Sequence, residues 1–468
     1  MSKLATAAVP RVLVVGTGMT GALTTYHLRR RLANRVRIEV ADMARGAGGR
    51  MSTTRWAPPP GKKNPSKKKN GVESRPNRGT TSSTAAVEEV RANTGAQYVS
   101  CCSPEATMLL ESVCAENGVE IDRVLRPFKR STHFLLRPDP QEYAHYLPRG
   151  GTNQIVKTFL RAGAPERLCF GTRLQRLLEV EKDGQICPQF DRGGEMLSPS
   201  FDCVVLAMPP KDILRFFNSS NSGGGRGGGT DPQSQADLHR RTNKSKRNTM
   251  PAGHRHLALD VDELGRLRMP QYNGRYSLAQ WFPEGDEFVG AVCAAWDAHV
   301  GPHKTIDMVS YQPGGSLVVQ STVELWRRVE GGGSWGGTKR KHGDNDKGKG
   351  NGNGKGRGGR GGRGGRGGRG GGGRKAAQAE LVAALESLAG RQMPHPLHGK
   401  LLNWRTSQAT IPLPSCSSGN NEKAPVVSAA GGRLVFTGDW TVESSFEGCN
   451  IAALAATEAA LLQFPSKF

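Results

Sequence analysis

No run of apolar residues in this chain approaches the roughly 18–20 that a bilayer-spanning helix needs, so no membrane role is expected. Met1 to Pro10 hold no long apolar stretch, and no secretory signal is expected either. There is no Cys-x-x-Cys pair. The nine cysteines (101, 102, 114, 169, 187, 203, 293, 416 and 449) are odd in number and scattered. That pattern fits reduced packing thiols in an intracellular, cytoplasmic setting rather than a disulfide framework. No grouping of His, Cys, Asp and Glu has metal-ligand spacing, so no metal is expected. An acid/base constellation, such as a carboxylate pair or a Ser/His/Asp order, is also absent. The chain ends in Ser-Lys-Phe, one residue away from a peroxisomal Ser-Lys-Leu ending; a random tail is the preferred reading.

The formal charge of +24 at first implies a nucleic-acid partner, but its distribution argues otherwise. Three low-complexity stretches, 57–91, 218–255 and 331–375, together carry +21, leaving +3 on the other 350 residues. The basicity therefore belongs to insertions, which lack the apolar content to offset ordering entropy and are expected to be disordered. The third holds an Arg-Gly-Gly array with Arg357, Arg360, Arg363, Arg366 and Arg369 at period three. Such an array can bind RNA through phosphate charge and guanidinium stacking. No RNA-recognition aromatics or zinc knuckles accompany it, so RNA binding through 357–374 ranks below a solvated loop.

What is there begins at Arg11. Val12 to Val15 form a short apolar run, as a buried parallel strand requires. Gly16-Thr-Gly18-Met19-Thr20-Gly21 follows. Gly16 permits a tight turn, Gly18 leaves room for a pyrophosphate, and Gly21 lets the next helix pack near the strand. That helix is expected from Met19, with its N-terminal amides and dipole facing the phosphates. A second strand, about Val36 to Ala41, ends at Asp42, whose carboxylate can accept ribose hydroxyls. Strand, glycines, helix, strand and acid in this order indicate a dinucleotide site within an α/β fold.

Two further signals narrow the ligand. Gly48-Gly49-Arg50-Met51 pairs glycines for close backbone approach with an arginine suited to pyrophosphate. Near the C-terminus, a strand at Leu434 to Phe436 leads into Thr437-Gly438-Asp439, and Phe446-Glu447-Gly448-Cys449 opens an alanine-rich helix. A helix N-terminus aimed at a flavin stabilises negative charge on its reduced ring, and Asp439 can bind a ribitol hydroxyl. The combination points to FAD. Other expected elements are a helix over 150–160, a strand over 201–207, a strand from Leu317 continuing to Val323, and a helix over 376–388.

The chain resembles the renalase family, within the flavin-containing amine oxidase superfamily. The matching stretches are Val14 to Gly21, Gly48 to Met51, Gly95-Ala-Gln-Tyr98, Leu125-Arg-Pro-Phe128, Phe201 to Pro209, Trp404-Arg-Thr-Ser-Gln408 and Phe446 to Cys449. The resemblance implies a Rossmann-like FAD-binding domain of the hydroxybenzoate-hydroxylase type with an inserted mixed-sheet, α+β substrate domain. On that reading 1–100, 148–217 and 400–468 form the FAD domain, and 101–147 and 256–399 the substrate domain. FAD is held without a covalent bond, and Cys449 is a packing thiol. Gly95, Ala96, Gln97 and Tyr98 are expected along the isoalloxazine, and Leu174 by the adenine. Trp404, Arg405 and Gln408 are expected near the reacting end, with Arg405 meeting a substrate phosphate.

The implied activity is oxidation of non-standard dihydro-NAD(P) isomers to NAD(P), with O2 reduced to hydrogen peroxide. Such hydride transfer needs positioning more than acid/base help. The competing expectations are an oxidase of primary amines or polyamines, and an RNA-associated protein acting through the Arg-Gly-Gly loop.

Overall fold

Val12 to Val15 have no polar alternation because both faces of their strand are covered. The computed structural model describes residues 9–56, 90–124, 144–191, 196–218, 252–299, 301–312, 314–330, 371–413 and 426–464. Its first sheet has six strands: in spatial order Val427–Ala429 (β17), Leu434–Thr437 (β18), Cys203–Ala207 (β11), Arg11–Val15 (β1), Arg37–Asp42 (β2) and Arg167–Phe170 (β8). All neighbours are parallel except β17, which pairs antiparallel with β18 at the edge.

Val12 and Val14 pack on one side with Met19–Leu32 (α1), Pro104–Glu116 (α2), Asn153–Ala162 (α3) and Phe446–Leu461 (α9). Leu13 and Val15 pack on the other. There they meet a small sheet of Ile186–Phe190 (β10), Leu174–Val180 (β9) and His254–His256 (β12). Pro210–Asn218 (α4) and Val261–Arg268 (α5) complete that layer. Helix follows strand at Gly16 to Gly21, which brings the α1 N-terminus to the carboxyl edge of the sheet, where ligands of such folds bind.

A second, antiparallel sheet has the order Ile306–Gln312 (β14), Ser316–Ser321 (β15), Gln271–Trp281 (β13) and His398–Ile411 (β16). Glu287–Ala298 (α6), Val323–Glu330 (α7) and Gly371–Ala389 (α8) cover its back through Leu278, Leu317, Leu325 and Leu381. Its front meets the ribbon of Thr53–Trp56 (β3) and Val90–Asn93 (β4), with Ala92 against Ala279 and Val318. The Asn93 backbone N–H donates to Gln312 Oε1 at 2.7 Å, and Ser316 Oγ donates to the Arg91 carbonyl at 2.8 Å. A third sheet joins Val99–Cys101 (β5), Ala144–Pro148 (β7) and Ile121–Val124 (β6).

Several expected boundaries move. The strand from Leu317 ends at Ser321, and Val323 opens α7 instead of extending the strand. β16 crosses the expected 399/400 domain limit and lies wholly in the second sheet. Cys101, Leu110 and Tyr146, expected in the substrate domain, share a core with α1 and α3. Leu257 and Leu267, expected there too, lie in the core under β1. Of the three basic stretches, 90–91 are in β4, 254–255 in β12 and 371–375 in α8, so regular secondary structure reaches inside each expected limit. Residues 57–89, 219–251 and 331–370 (the Arg-Gly-Gly array among them), Leu125 to Phe128, Cys416 and Ser-Lys-Phe lie outside the described residues. Among the described residues, eight cysteines are free. No helix there is long and apolar enough to cross a membrane.

Candidate active site

The glycine loop does three separate jobs. Gly16 has a φ of +106°, and a Cβ there would lie 2.4 Å from the Ala207 carbonyl oxygen. A Cβ on Gly21 would lie 1.9 Å from the Gly16 carbonyl oxygen, so helix and strand meet only because the residue is glycine. Gly18 differs: a Cβ there would meet nothing within 4 Å. Its missing side chain leaves open space beside the first turn of α1. Gly18 is the N-cap of α1 and gives no side-chain cap, so the first-turn amides remain available to an anion.

That open space belongs to a cavity of about 1060 Å³, at the top of the roughly 300–1,000 Å³ common for small-molecule sites. One end is lined by Gly16, Gly18, Met19, Thr20, Asp42 and Leu174. The Asp42 carboxylate is already partly engaged. The Thr17 N–H donates to it at 2.6 Å, the Thr17 hydroxyl at 2.5 Å and the Ala44 N–H at 2.7 Å. Carboxylate oxygens accept more than three bonds, so a ribose hydroxyl still fits.

Gly49, Arg50, Met51, Gly95, Ala96, Gly438, Asp439, Phe446 and Cys449 line the middle. Chain segments interlock closely here. The Gly48 N–H donates to the Thr17 carbonyl at 3.0 Å, and the Ala96 N–H to the Arg50 carbonyl at 2.8 Å. A Cβ on Gly95 would lie 1.8 Å from that same Arg50 oxygen. Arg50 and Asp439, each expected to bind a part of a cofactor, both line the cavity and form a two-bond ion pair with each other. With 389 positions between them, no local pattern in the sequence links the two.

Tyr272 Oη donates to Asp439 Oδ1 at 3.0 Å, Ser444 Oγ donates to Asp439 Oδ2, and the Arg50 guanidinium sits 5.6 Å from the Tyr272 ring centre. Burial pushes the Asp439 carboxyl up, but Arg50, Ser444 and Tyr272 outweigh it and hold it below the usual carboxylate range. Burial likewise works against the Arg50 charge, and Asp439 overcomes it. Burial and the Asp439 charge push the Cys449 thiol up to about 12.

Gln97, Tyr98, Trp404 and Gln408 line the far end. The Gln97 amide is held on both sides: Nε2 donates to the Gly95 carbonyl at 3.1 Å, and Oε1 accepts from Gln312 Nε2 at 2.6 Å. Trp404 Nε1 donates to the Thr94 carbonyl at 2.9 Å, fixing the indole. Tyr98 packs edge-on against His145, whose Nδ1 lies 2.8 Å from Ser100 Oγ.

Four expected site residues do not line the cavity. Arg405 is exposed, although Trp404 and Thr406 on either side of it line the cavity; it falls where the β13–β16 register shifts, between the pairs Arg275–Trp404 and Asn273–Gln408. Gly21 serves helix–strand packing instead. Gly448 packs against the Glu443 carbonyl, 2.4 Å from where its Cβ would be, and Glu447 follows the same helix start. The arginine that does reach the far end is Arg275, opposite Trp404 in the β13–β16 register. It is buried and ion-paired to Asp307 of β14. Nothing local marks it, because a buried ion pair between strands leaves no sequence period.

Residues 14–63 match the family model of the NAD(P)-binding Rossmann-like domain. The chain contains a Rossmann-like dinucleotide-binding domain. Its overall fold is similar to the crystal structure of a protein described as a protoporphyrinogen oxidase from Exiguobacterium sp. 255-15. That match has a TM-score of 0.51, 9% identity, and covers 98% of this chain and 99% of the other. At that identity the likeness concerns the fold: a Rossmann-like domain with a second sheet set over its ligand edge.

Proposed function

We propose that this chain is an FAD-dependent oxidase of the flavin-containing amine oxidase superfamily, acting like the renalase family on non-standard dihydro-NAD(P) isomers. The observation that carries the reading is one continuous cavity running from the Gly16–Gly21 loop to Trp404 under the second sheet. Its residues fit FAD: Gly18 leaves open space beside uncapped helix amides. Gly18 and the α1 amides would take the pyrophosphate, Asp42 and Leu174 the adenosine end, and Gly95 to Tyr98 the ring end. FAD, when bound there, would accept a hydride from the substrate and pass the electrons to O2, giving hydrogen peroxide.

The protein's share is to position and to exclude water. Gln97 and Trp404, both held by backbone carbonyls, give a rigid wall. The second sheet lines the cavity with Arg275, Tyr276, Gln320, Trp404, Thr406, Ser407 and Gln408. The only charged side chain among these, Arg275, is already paired with Asp307, and none of the seven is a carboxylate that could meet an ammonium. That favours a dinucleotide over a cationic amine.

Anaerobic mixing of the flavin-loaded protein with 2- or 6-dihydro-NAD(P), and separately with amines, tests this. Bleaching of the flavin absorbance is expected with the dihydro isomers only. Bleaching by amines alone would overturn the substrate assignment. Cys449 bears on how the flavin is held. With its thiol pushed up to about 12 by burial, it stays protonated and un-nucleophilic at neutral pH. Acid precipitation should therefore release all the flavin into the supernatant, in the unaltered chain and in Cys449→Ser alike.

A further inference from the structure

Tyr272 stands on β13 of the second sheet, yet its polar contacts run into the dinucleotide-binding domain. Its hydroxyl donates to Asp439 at 3.0 Å, and its ring lies under the Arg50 guanidinium, 5.6 Å from the charged carbon. Asp439 is 2% exposed and receives Arg50, Ser444 and Tyr272 together. Ser444 is itself tied to the second sheet, since its Oγ accepts the Ala409 N–H of β16 at 2.8 Å. Two strands of one sheet thus converge on the counter-ion of a cavity-lining arginine in the other domain. Asp439 has no freedom to move without breaking one of these bonds, and the Arg50 fork follows it.

We infer that Tyr272 is a positioning residue for the cofactor: through Asp439 and through its ring it sets where the Arg50 guanidinium points. This rests on the FAD reading above. Its consequence is that cofactor affinity is shared between the two domains. The glycine loop supplies the cradle, but the aim of the arginine comes from the docked second sheet. A hydroxyl bonded to an ion is a strong positional restraint, because it is directional as well as charge-assisted. The ring beneath the guanidinium restrains a second coordinate.

The test is a double-mutant cycle read as FAD binding to the full-length apoprotein, by ultrafiltration and flavin absorbance. Tyr272→Phe keeps the ring and removes only the hydroxyl; it should weaken FAD binding about tenfold, the scale of a hydrogen bond to a charged group. In an Arg50→Gln background the same change should have almost no further effect, since there is no guanidinium left to aim. An additive penalty in that background, or an unchanged FAD dissociation constant in Tyr272→Phe, overturns the inference. Thermal unfolding of each chain separates a folding defect from a positioning one, because a merely structural tyrosine lowers stability equally in both backgrounds. If the unaltered chain binds no FAD, the functional reading falls and this inference with it. If it binds and the cycle is additive, only the inference falls.

Discussion

Replacing Gly18 by glutamate should abolish flavin retention while leaving the protein folded. A Cβ at this position meets no protein atom within 4 Å, so the new side chain starts in open space rather than against the fold. The room it takes is the cradle beside the α1 amides, and its carboxylate adds like charge where a pyrophosphate would lie. The expected loss is about a hundredfold or more in FAD affinity, roughly 3 kcal/mol. Flavin absorbance after gel filtration, set against the thermal unfolding midpoint, checks it.

The control is Gly21→Ala, five residues from Gly16 in the same loop. Its added Cβ would lie 1.9 Å from the Gly16 carbonyl oxygen, so backbone must shift. That chain should lose stability as well as flavin. Equal retention of flavin in Gly18→Glu would remove the glycine loop from the site.

Arg275→Met should destabilise the protein by about 3–5 kcal/mol, because it removes the ion-pair partner of the buried Asp307 carboxylate. Both side chains are almost fully enclosed, at 5% and 3% exposure. Solvent therefore cannot take over the lost partner. Replacing both, Arg275→Met with Asp307→Leu, should recover most of that loss, since an apolar pair of similar volume carries no desolvation penalty. Urea unfolding of the three chains measures it. A double variant as unstable as the single one would mean that Arg275 serves packing rather than charge compensation.

The elements that sequence reading found are those whose cause is local. Val12 to Val15, Gly16 to Gly21 and Asp42 announce themselves because apolar run, steric need and acid fall within one βαβ unit. The final helix from Phe446 was legible for the same reason: its run of small residues sets its packing, and Ser445 caps its start by accepting the Gly448 N–H. Arg405 was misjudged although its neighbours Trp404 and Gln408 do line the cavity, because which face of β16 looks inward depends on β13 beside it. Arg275 went unnoticed, and Tyr272 with it. Both stand on a strand whose partners, Asp307 and Asp439, come from distant segments.

Length of sequence between partners thus divides the two kinds of knowledge. Short-range sterics and hydrophobic period determined the Rossmann-like core, the order of its first elements and the place of its phosphate cradle. Tertiary structure alone decided that Arg50 faces Asp439 rather than standing free. It also decided that Tyr272 of the second sheet and Ser444 reach that pair, and that the guanidinium at the far end belongs to Arg275. The physical reason is that a buried charge takes whichever partner the packed chain brings within bonding distance, and packing, unlike periodicity, is a property of the whole fold.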